Sequence, residues 1–120
     1  MKRYHHIGIP SDIPRDGEYY LEKYKMHVLS YDTNAYGVEW IRFEPSSPLP
    51  DLVKSVPHVA FVVDDLMAEI EGKEILIAPN SPSEGITIAF IVDNGAPIEF
   101  ITFEKSLNFK DTINSGTKNV

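Results

Sequence analysis

Short apolar runs separated by turn-forming residues dominate the chain, and such runs predict β-strands. In the first half, strands are predicted over residues 4–9, 27–31 and 38–43. Between the first two strands, the apolar spacing of Tyr20, Leu21 and Tyr24 predicts a helix over residues 15–25. The first half is therefore predicted as β-α-β-β, with a further strand abbreviated or absent.

The second half is predicted as β-α-β-β-β. Its strands are predicted over residues 57–63, 74–78, 87–92 and 98–103. Its helix begins with a capping Asp-Asp pair and covers residues 64–72, and the Asp-Asn-Gly turn at residues 93–95 indicates a hairpin. Residues 80–85 are predicted as a loop. The proline-rich residues 45–50 cannot form a central strand, so they link the two halves.

The last strand of each half is a repeat. Residues 37–44 and 97–104 are identical at four of eight positions, among them Glu39 and Glu99. A weaker repeat marks the first strands, where His6 and His58 each open a short apolar run. The chain therefore reads as two copies of one unit, and each unit starts with a histidine strand and ends with a glutamate strand.

Strand alternation predicts where these side chains point. His6 and His58 occupy equivalent faces of their strands, and Glu39 and Glu99 occupy equivalent faces of theirs. If the two units pair about a twofold axis, all four side chains converge on one side of a curved sheet. The opposite, apolar faces then pack on the two predicted helices. His5 falls on the apolar face and is the alternative ligand to His6.

The four converging residues are suitable metal ligands. A carboxylate inside an apolar strand is costly to bury alone, so glutamates at the same place in both copies indicate a nearby cation or hydrogen-bond donors. Two imidazoles and two carboxylates suit Zn²⁺, Ni²⁺, Co²⁺, Mn²⁺ or Fe²⁺. The predicted ligands are His6, Glu39, His58 and Glu99, and Glu99 or Glu39 is the predicted general base. The alternative is structural, with histidines bonded to neighbours and glutamates solvated on an open sheet face.

Composition excludes several classes of function. The 120 residues contain no cysteine, so disulfides, thiolate metal sites and cysteine nucleophiles are excluded. The formal net charge of -7 opposes binding to nucleic acid, whose phosphates require clustered lysine and arginine. Neither a membrane-spanning apolar run nor the apolar core of a signal peptide occurs in the sequence. A cytoplasmic location without a membrane partner is expected.

These motifs resemble the vicinal oxygen chelate superfamily, which includes glyoxalase I, methylmalonyl-CoA epimerase, extradiol dioxygenases and the bleomycin resistance proteins. The resemblance covers residues 3–104 and rests on the two histidine starts and the two glutamate ends. It implies an α+β fold in which two βαβββ modules form a curved mixed sheet with a cleft. The modules cover about residues 3–47, the abbreviated one, and 56–104. Residues 1–104 then form a single glyoxalase-like domain, followed by a polar tail at 105–120.

The resemblance implies three functions. The first is a metal-dependent lyase, isomerase or epimerase of the glyoxalase type, acting on a small α-oxo or α-hydroxy carbonyl compound through an enediolate. The second is a metal-free protein that binds, or confers resistance to, a drug-like small molecule. The third is an Fe(II) extradiol-type dioxygenase that uses three of the four ligands. No stretch matches a glutathione or coenzyme A site.

Two further expectations concern the cleft and the assembly. Tyr4, Tyr31 and Tyr36 are candidates to line the site of a small-molecule substrate, Tyr4 because it shares the predicted face of His6. The abbreviated first module should leave a sheet edge exposed, so a homodimer is predicted.

Overall fold

The computed structural model describes residues 2–104, which form one eight-stranded mixed sheet. The strands are β1 (Arg3–Pro10), β2 (Tyr19–Leu21), β3 (Met26–Leu29), β4 (Val38–Phe43), β5 (His58–Val62), β6 (Glu74–Ser83), β7 (Ile86–Asp93) and β8 (Ala96–Phe103). The helices are α1 (Asp51–Ser55) and α2 (Leu66–Ile70), and a 3₁₀ turn covers Tyr31–Thr33. The predicted polar tail lies outside the described residues.

The sheet is built from two halves in mirrored order, β2-β3-β4-β1 followed by β5-β8-β7-β6. The first strands of the halves, β1 and β5, meet antiparallel at the centre. Each is flanked by the last strand of its own half in parallel, β4 beside β1 and β8 beside β5. The sheet curls into a half-barrel, which confirms the predicted α+β fold with two modules and a curved mixed sheet.

The central pairing is symmetric in register. His6 pairs with Ala60, and Gly8 pairs with His58. Because Gly8 stands two residues after His6 and Ala60 two residues after His58, each histidine lies opposite the small residue of the other module. The repeat in the sequence is therefore a structural repeat about a pseudo-twofold axis between β1 and β5.

The first module has no helix between its first two strands, so the helix predicted over residues 15–25 is wrong. Gly17 has a φ of +93°, which a helix does not allow, and Tyr19–Leu21 form β2 instead. Lys25, with a φ of +49°, lies at the turn into β3. All four strands are present, and β2 has three residues, so the strand predicted as abbreviated or absent is abbreviated. The first module is shorter mainly because β2 and β3 have three and four residues, whereas β6 and β7 have ten and eight.

A loop covers the sheet face that the missing helix would have covered. The guanidinium of Arg15 lies 4.2 Å from the ring centroid of Trp40, which projects from β4 on that face. Nearby, Arg42 donates to a carboxylate oxygen of Glu18 at 2.7 Å. Arginine side chains can cover an aromatic surface while keeping their charge near water, so this loop shields Trp40 without a helix. The prediction that each module packs its sheet on a helix holds for the second module alone.

The second module packs its sheet against α2. The buried cluster consists of Val63, Leu66, Ile70, Ala89, Ile91 and Phe100, with Phe61 and Ile98 packed beside it. The predicted cap is confirmed, since a carboxylate oxygen of Asp65 accepts from the backbone N–H of Ala68 at 3.1 Å. A separate cluster of Ala60, Ile86 and Ile101 lies on the other side of the same strands. The sheet of this module is therefore buried on both faces.

The hairpin between β7 and β8 is as predicted. Asn94 and Gly95 both have positive φ, 51° and 81°, and they join the paired residues Asp93 and Ala96 in a two-residue turn. The loop predicted over residues 80–85 is shorter in the structure, because β6 continues to Ser83 through three register shifts against β7. These irregularities bend β6 along the curled sheet.

The segment between the modules contains the short helix α1, which was not predicted. Val53 of this helix is 3% exposed, and Ser47 just before it donates a 2.6 Å hydrogen bond to the carbonyl of Tyr24. The linker is thus fixed against the first module. None of the helices within residues 2–104 is long and apolar enough to cross a membrane. Strands β2 and β6 are the two outer strands of the sheet, and the homodimer stays a prediction.

The Ile91→Ala substitution is expected to lower the free energy of unfolding by about 2–5 kcal/mol, because Ile91 is 3% exposed within the α2 cluster. Urea unfolding followed by circular dichroism measures the change. The matched control is Ile13→Ala, since Ile13 is 62% exposed and its truncation should cost less than about 0.5 kcal/mol. Equal losses for both variants would contradict the assigned core.

Candidate metal centre

Two histidines lie side by side at the centre of the sheet. His6 from β1 and His58 from β5 are 5% and 3% exposed, and their ring centroids are 5.5 Å apart at an interplanar angle of 82°. The symmetric register between β1 and β5 causes this meeting, since it places equivalent residues on one face at equal distances from the twofold axis.

Two glutamates reach the histidine pair from the neighbouring strands. Glu39 of β4 lies in register with Gly8, and Glu99 of β8 lies in register with Ala60, the equivalent position. Both carboxylates therefore flank the central strands on the face that carries the histidines. The structure therefore brings together the four predicted ligands, called the quartet below: His6, Glu39, His58 and Glu99.

His6, Glu39 and His58 are close enough to share one cation, and Glu99 lies beside both histidines. The Glu99 Oε1 atom lies 3.4 Å from Nε2 of His6 and 3.2 Å from Nε2 of His58. The Glu39 Oε1 atom lies 3.8 Å from Nε2 of His6. One ligand atom from each of His6, Glu39 and His58 lies within 4.8 Å of the others. Ligands at 2.0–2.1 Å from a tetrahedral zinc ion are separated by about 3.3 Å, so this spacing fits a single cation.

The imidazole nitrogens that face the carboxylates lack well-aligned hydrogen bonds. Within the described residues, Nε2 of His6 and both ring nitrogens of His58 are buried without a hydrogen-bond partner. Buried polar atoms without partners are uncommon because each one costs desolvation energy. Nitrogens that lie 3.2–3.4 Å from a carboxylate oxygen without a well-aligned hydrogen bond are arranged as metal ligands are. The residues present therefore fit a divalent cation.

The two glutamates differ in their electrostatic surroundings. Burial opposes ionisation of Glu99, but His58 and His6 outweigh it and hold the pKa of Glu99 down at about 2. Burial raises the pKa of Glu39 above its usual value, and the attraction of His6 offsets this only in part. Burial likewise opposes the charged form of His6, but Glu99 and Glu39 raise the pKa of His6 overall. Glu99 is therefore held as a carboxylate, whereas Glu39 has the greater proton affinity.

Gly8 makes room for the His58 ring. A methyl group at Gly8 would lie 2.2 Å from Cε1 of His58 and 2.7 Å from its Nε2 atom, well inside van der Waals contact. The ring therefore lies directly on the glycine backbone of the opposite central strand. This close approach explains why a residue without a side chain follows His6 at this spacing.

His5 also faces the site, contrary to the prediction from alternation. A β-bulge between Tyr4 and His6 inserts one extra residue into β1 opposite β5, which turns His5 to the side of His6. Their Nδ1 atoms are 2.8 Å apart. Burial and the neighbouring His6 lower the pKa of His5 to about 4. No pattern in the sequence marks this bulge.

The three tyrosines proposed as substrate contacts lie outside the cavity wall. Tyr4 is 52% exposed, and its hydroxyl donates to the carbonyl of Tyr36 at 2.9 Å. Tyr36 is 77% exposed. Tyr31 packs on the histidines instead, since its ring centroid is 4.6 Å from that of His5 and 5.7 Å from that of His6. The bulge separates Tyr4 from the face of His6.

A cavity of about 360 Å³ opens from the quartet along the concave face of the sheet. All four quartet residues line it. The remaining wall comes from both modules and the linker, and consists of Tyr19, Leu21, Lys23, Tyr24, Met26, Ile41, Phe43, Leu49, Val53, Ile77, Asn80, Pro82, Ile86, Ile88, Phe90 and Ile101. Ile41 and Ile101 stand two residues after Glu39 and Glu99, so alternation could have identified them. No pattern in the sequence indicated that residues of the linker would line the cavity.

Comparison with known proteins identifies the fold. No protein-family model and no curated protein sequence matches the chain. Among solved structures, a hypothetical protein from Bacillus halodurans C-125 is similar over 89% of this chain and 98% of its own, with a TM-score of 0.59 and 16% identity. A triple mutant of 4-hydroxymandelate synthase from Streptomyces coelicolor aligns with 90% of this chain and 50% of its own, with a TM-score of 0.49 and 16% identity. The likeness to the Bacillus protein shows a shared fold.

The Gly8→Ala substitution is expected to displace the His58 ring and to weaken binding of a divalent cation at least tenfold, or about 1.4 kcal/mol. Isothermal titration with Zn²⁺ measures the change. Gly95→Ala is the control, because it strains a turn with a φ of +81° but has nothing within 4 Å of the added methyl. A Gly8→Ala protein that is folded and binds Zn²⁺ as tightly as the Gly95→Ala protein would contradict the assigned packing.

Proposed function

We propose that the protein is a metal-dependent lyase, isomerase or epimerase of the glyoxalase type within the vicinal oxygen chelate superfamily, acting on a small α-oxo or α-hydroxy carbonyl compound. The observation that carries this proposal is the pair of buried Nε2 atoms, on His6 and His58, that face two carboxylates without hydrogen-bond partners. The mirrored module order and the cavity that opens from this quartet support it.

The quartet supplies the ligands for the cation. His6, His58 and Glu99 form the most tightly connected set, because Oε1 of Glu99 lies within 3.4 Å of both Nε2 atoms. A divalent cation bound there acts as a Lewis acid that polarises a carbonyl oxygen of the substrate. The mixed nitrogen and oxygen ligands suit Zn²⁺, Ni²⁺, Co²⁺, Mn²⁺ or Fe²⁺.

Glu39 is the better placed of the two glutamates to move a proton. Its Oε1 atom lies 3.8 Å from Nε2 of His6, farther than Glu99 lies from either histidine, and its side chain is 14% exposed towards the cavity it lines. Its pKa is raised by burial, which makes its carboxylate the stronger base of the two. Glu39 takes the proton from the carbon beside the substrate carbonyl and returns it to an adjacent carbon. This step isomerises the substrate and consumes no oxidant or reductant.

The same residues support a second candidate, an Fe(II) oxygenase. Ligand atoms of His6, Glu39 and His58 all lie within 4.8 Å of one another, which is the two-histidine, one-carboxylate set of non-haem iron oxygenases. This candidate predicts oxygen consumption with Fe²⁺ and a catechol. Oxygen consumption that is lost in Glu39→Gln would favour it over the isomerase, because the isomerase consumes no oxygen and Glu39 is the carboxylate of this ligand set.

The purified protein is expected to bind one divalent cation, and Glu99→Gln should weaken that binding at least tenfold because it removes the carboxylate shared by both histidines. Metal titration monitored by calorimetry, together with elemental analysis, measures both quantities. His27→Gln is the control, since His27 lies outside the quartet and pairs with Glu44 at 3.7 Å.

The opposite results are informative. Absence of stoichiometric metal together with an unchanged affinity in Glu99→Gln would exclude the metal centre. Tight binding of a small organic ligand that persists in excess chelator, without turnover, would then favour the metal-free binding protein.

A further inference from the structure

We propose that the substrate carries an apolar body, either one aromatic ring or a short branched hydrocarbon, attached to the oxygen-bearing end that meets the quartet. This inference rests on the proposed function for the polar end alone. The apolar part of the substrate is inferred from the cavity that extends away from the quartet.

Twelve of the sixteen residues in the cavity wall beyond the quartet are apolar. Ile86, Ile88 and Phe90 of β7 line one side, and Ile41 and Phe43 of β4 line the other. Phe90 lies beside the reacting end, because its ring centroid is 5.0 Å from that of His58, in an edge-on arrangement. A ring or branched chain attached next to the reacting carbon would therefore contact hydrocarbon on both sides.

Few polar groups are available to a hydrophilic substrate. Outside the quartet, Lys23 is the one charged side chain in the wall as far as residues 2–104 show, and it is exposed. Tyr19 and Tyr24 add two hydroxyl groups. Asn80 is the one amide in that wall, and its nitrogen already donates to the carbonyl of Ala78 at 2.9 Å. A sugar, a nucleotide or a peptide conjugate would bury donors and acceptors without partners, which opposes its binding.

The cavity volume limits the size of the apolar part of the substrate. About 360 Å³ lies at the small end of the range for pockets that bind organic molecules. One ring with its polar head fits this space, whereas a coenzyme A or dinucleotide moiety would extend far into solvent. The structure therefore points to small, mostly apolar oxo or hydroxy acids and related carbonyl compounds as the substrate class.

Hydroxamates provide the test, because each presents two adjacent oxygens to a metal while the attached group varies. Zn²⁺-loaded protein is titrated with acetohydroxamate, benzohydroxamate and gluconohydroxamate. Affinity is expected to rise at least tenfold from acetohydroxamate to benzohydroxamate, with no gain for gluconohydroxamate. The gain should fall at least threefold in Ile88→Ser but not in Ile75→Ser, because Ile75 is 43% exposed and lies outside the cavity wall.

Three outcomes separate this inference from the proposed function. Equal affinities for all three hydroxamates would overturn the apolar body while leaving the metal centre intact. A preference for gluconohydroxamate would replace it with a polar substrate. Failure of the protein to bind Zn²⁺ would overturn the proposed function, and the apolar body would then be tested with benzoate and gluconate on the metal-free protein.

A different observation identifies His5 as a positioning residue for His6. We infer that Nδ1 of His5 accepts a hydrogen from Nδ1 of His6 and so keeps Nε2 of His6 without a hydrogen and available as a ligand. The two Nδ1 atoms are 2.8 Å apart, a distance at which one of them must carry a hydrogen and the other must not. This assignment rests on the proposed function: a nitrogen that ligates a metal carries no hydrogen, which places the hydrogen of neutral His6 on Nδ1.

The fold holds this pair in place. The β-bulge in β1 turns the His5 ring towards His6, and Tyr31 packs against both rings, nearly parallel to His6 at 20°. His5 therefore acts through His6. His5 occupies the position of the carboxylate or carbonyl that commonly accepts a hydrogen bond from the non-ligating nitrogen of a metal-binding histidine.

Two variants distinguish the role of His5 as a hydrogen-bond acceptor from its role in packing against Tyr31. His5→Asn keeps an acceptor oxygen, whereas His5→Phe keeps an aromatic ring against Tyr31 and removes the acceptor. Nitrogen-15 NMR of the metal-free protein at about pH 9, above the usual imidazole range, reports the tautomer of His6. The hydrogen is expected on Nδ1 in the unsubstituted protein and in His5→Asn, but on either nitrogen in His5→Phe.

Zn²⁺ affinity provides the second measurement. His5→Phe should bind Zn²⁺ about 10–100-fold more weakly, and His5→Asn should restore most of the loss. An unchanged tautomer in His5→Phe would overturn the assignment, and so would equal losses of affinity in both variants. Circular dichroism identifies a variant that fails to fold, in which case the unsubstituted protein still tests the tautomer directly.

Discussion

The structure depends on the antiparallel pairing of β1 with β5, in which His6 lies opposite Ala60 and Gly8 lies opposite His58. This register allows two imidazole rings to meet at the centre of the sheet, one of them directly on a glycine backbone. A shift of one residue would turn every side chain of one strand to the opposite face and separate the pair. The cavity, the quartet and the pseudo-twofold axis all follow from this one register.

The two modules show how a repeated unit can lose an element without losing the site. The first module lacks the helix that the second one packs against its sheet, and Arg15 over Trp40 takes part of its place. The helix α2 of the second module packs on the sheet face away from the cavity, so the absence of a counterpart in the first module leaves the cavity wall in place. The strands that carry His6 and Glu39 remain because their hydrogen bonds come from neighbouring strands.

The equivalent glutamates are not equivalent in their environment. Glu99 lies within 3.4 Å of both histidines, whereas Glu39 lies 3.8 Å from His6. The resulting difference in proton affinity arises from position, since the two side chains are chemically identical. Breaking the symmetry at this point gives one carboxylate suited to bind a cation and one suited to accept a proton.

The sequence by itself determined the two-module plan and the four residues of the candidate site, because the repeated residues in both halves reveal equivalent strand positions such as those of Glu39 and Glu99. It also determined the Asn94-Gly95 hairpin and the Asp65 cap, which depend on local chemistry. Only the tertiary structure decided that residues 15–25 form no helix, that a bulge turns His5 to the site, and that the linker with Val53 closes the cavity. These features depend on contacts between residues far apart in the chain, and periodicity within one segment carries no information about such contacts.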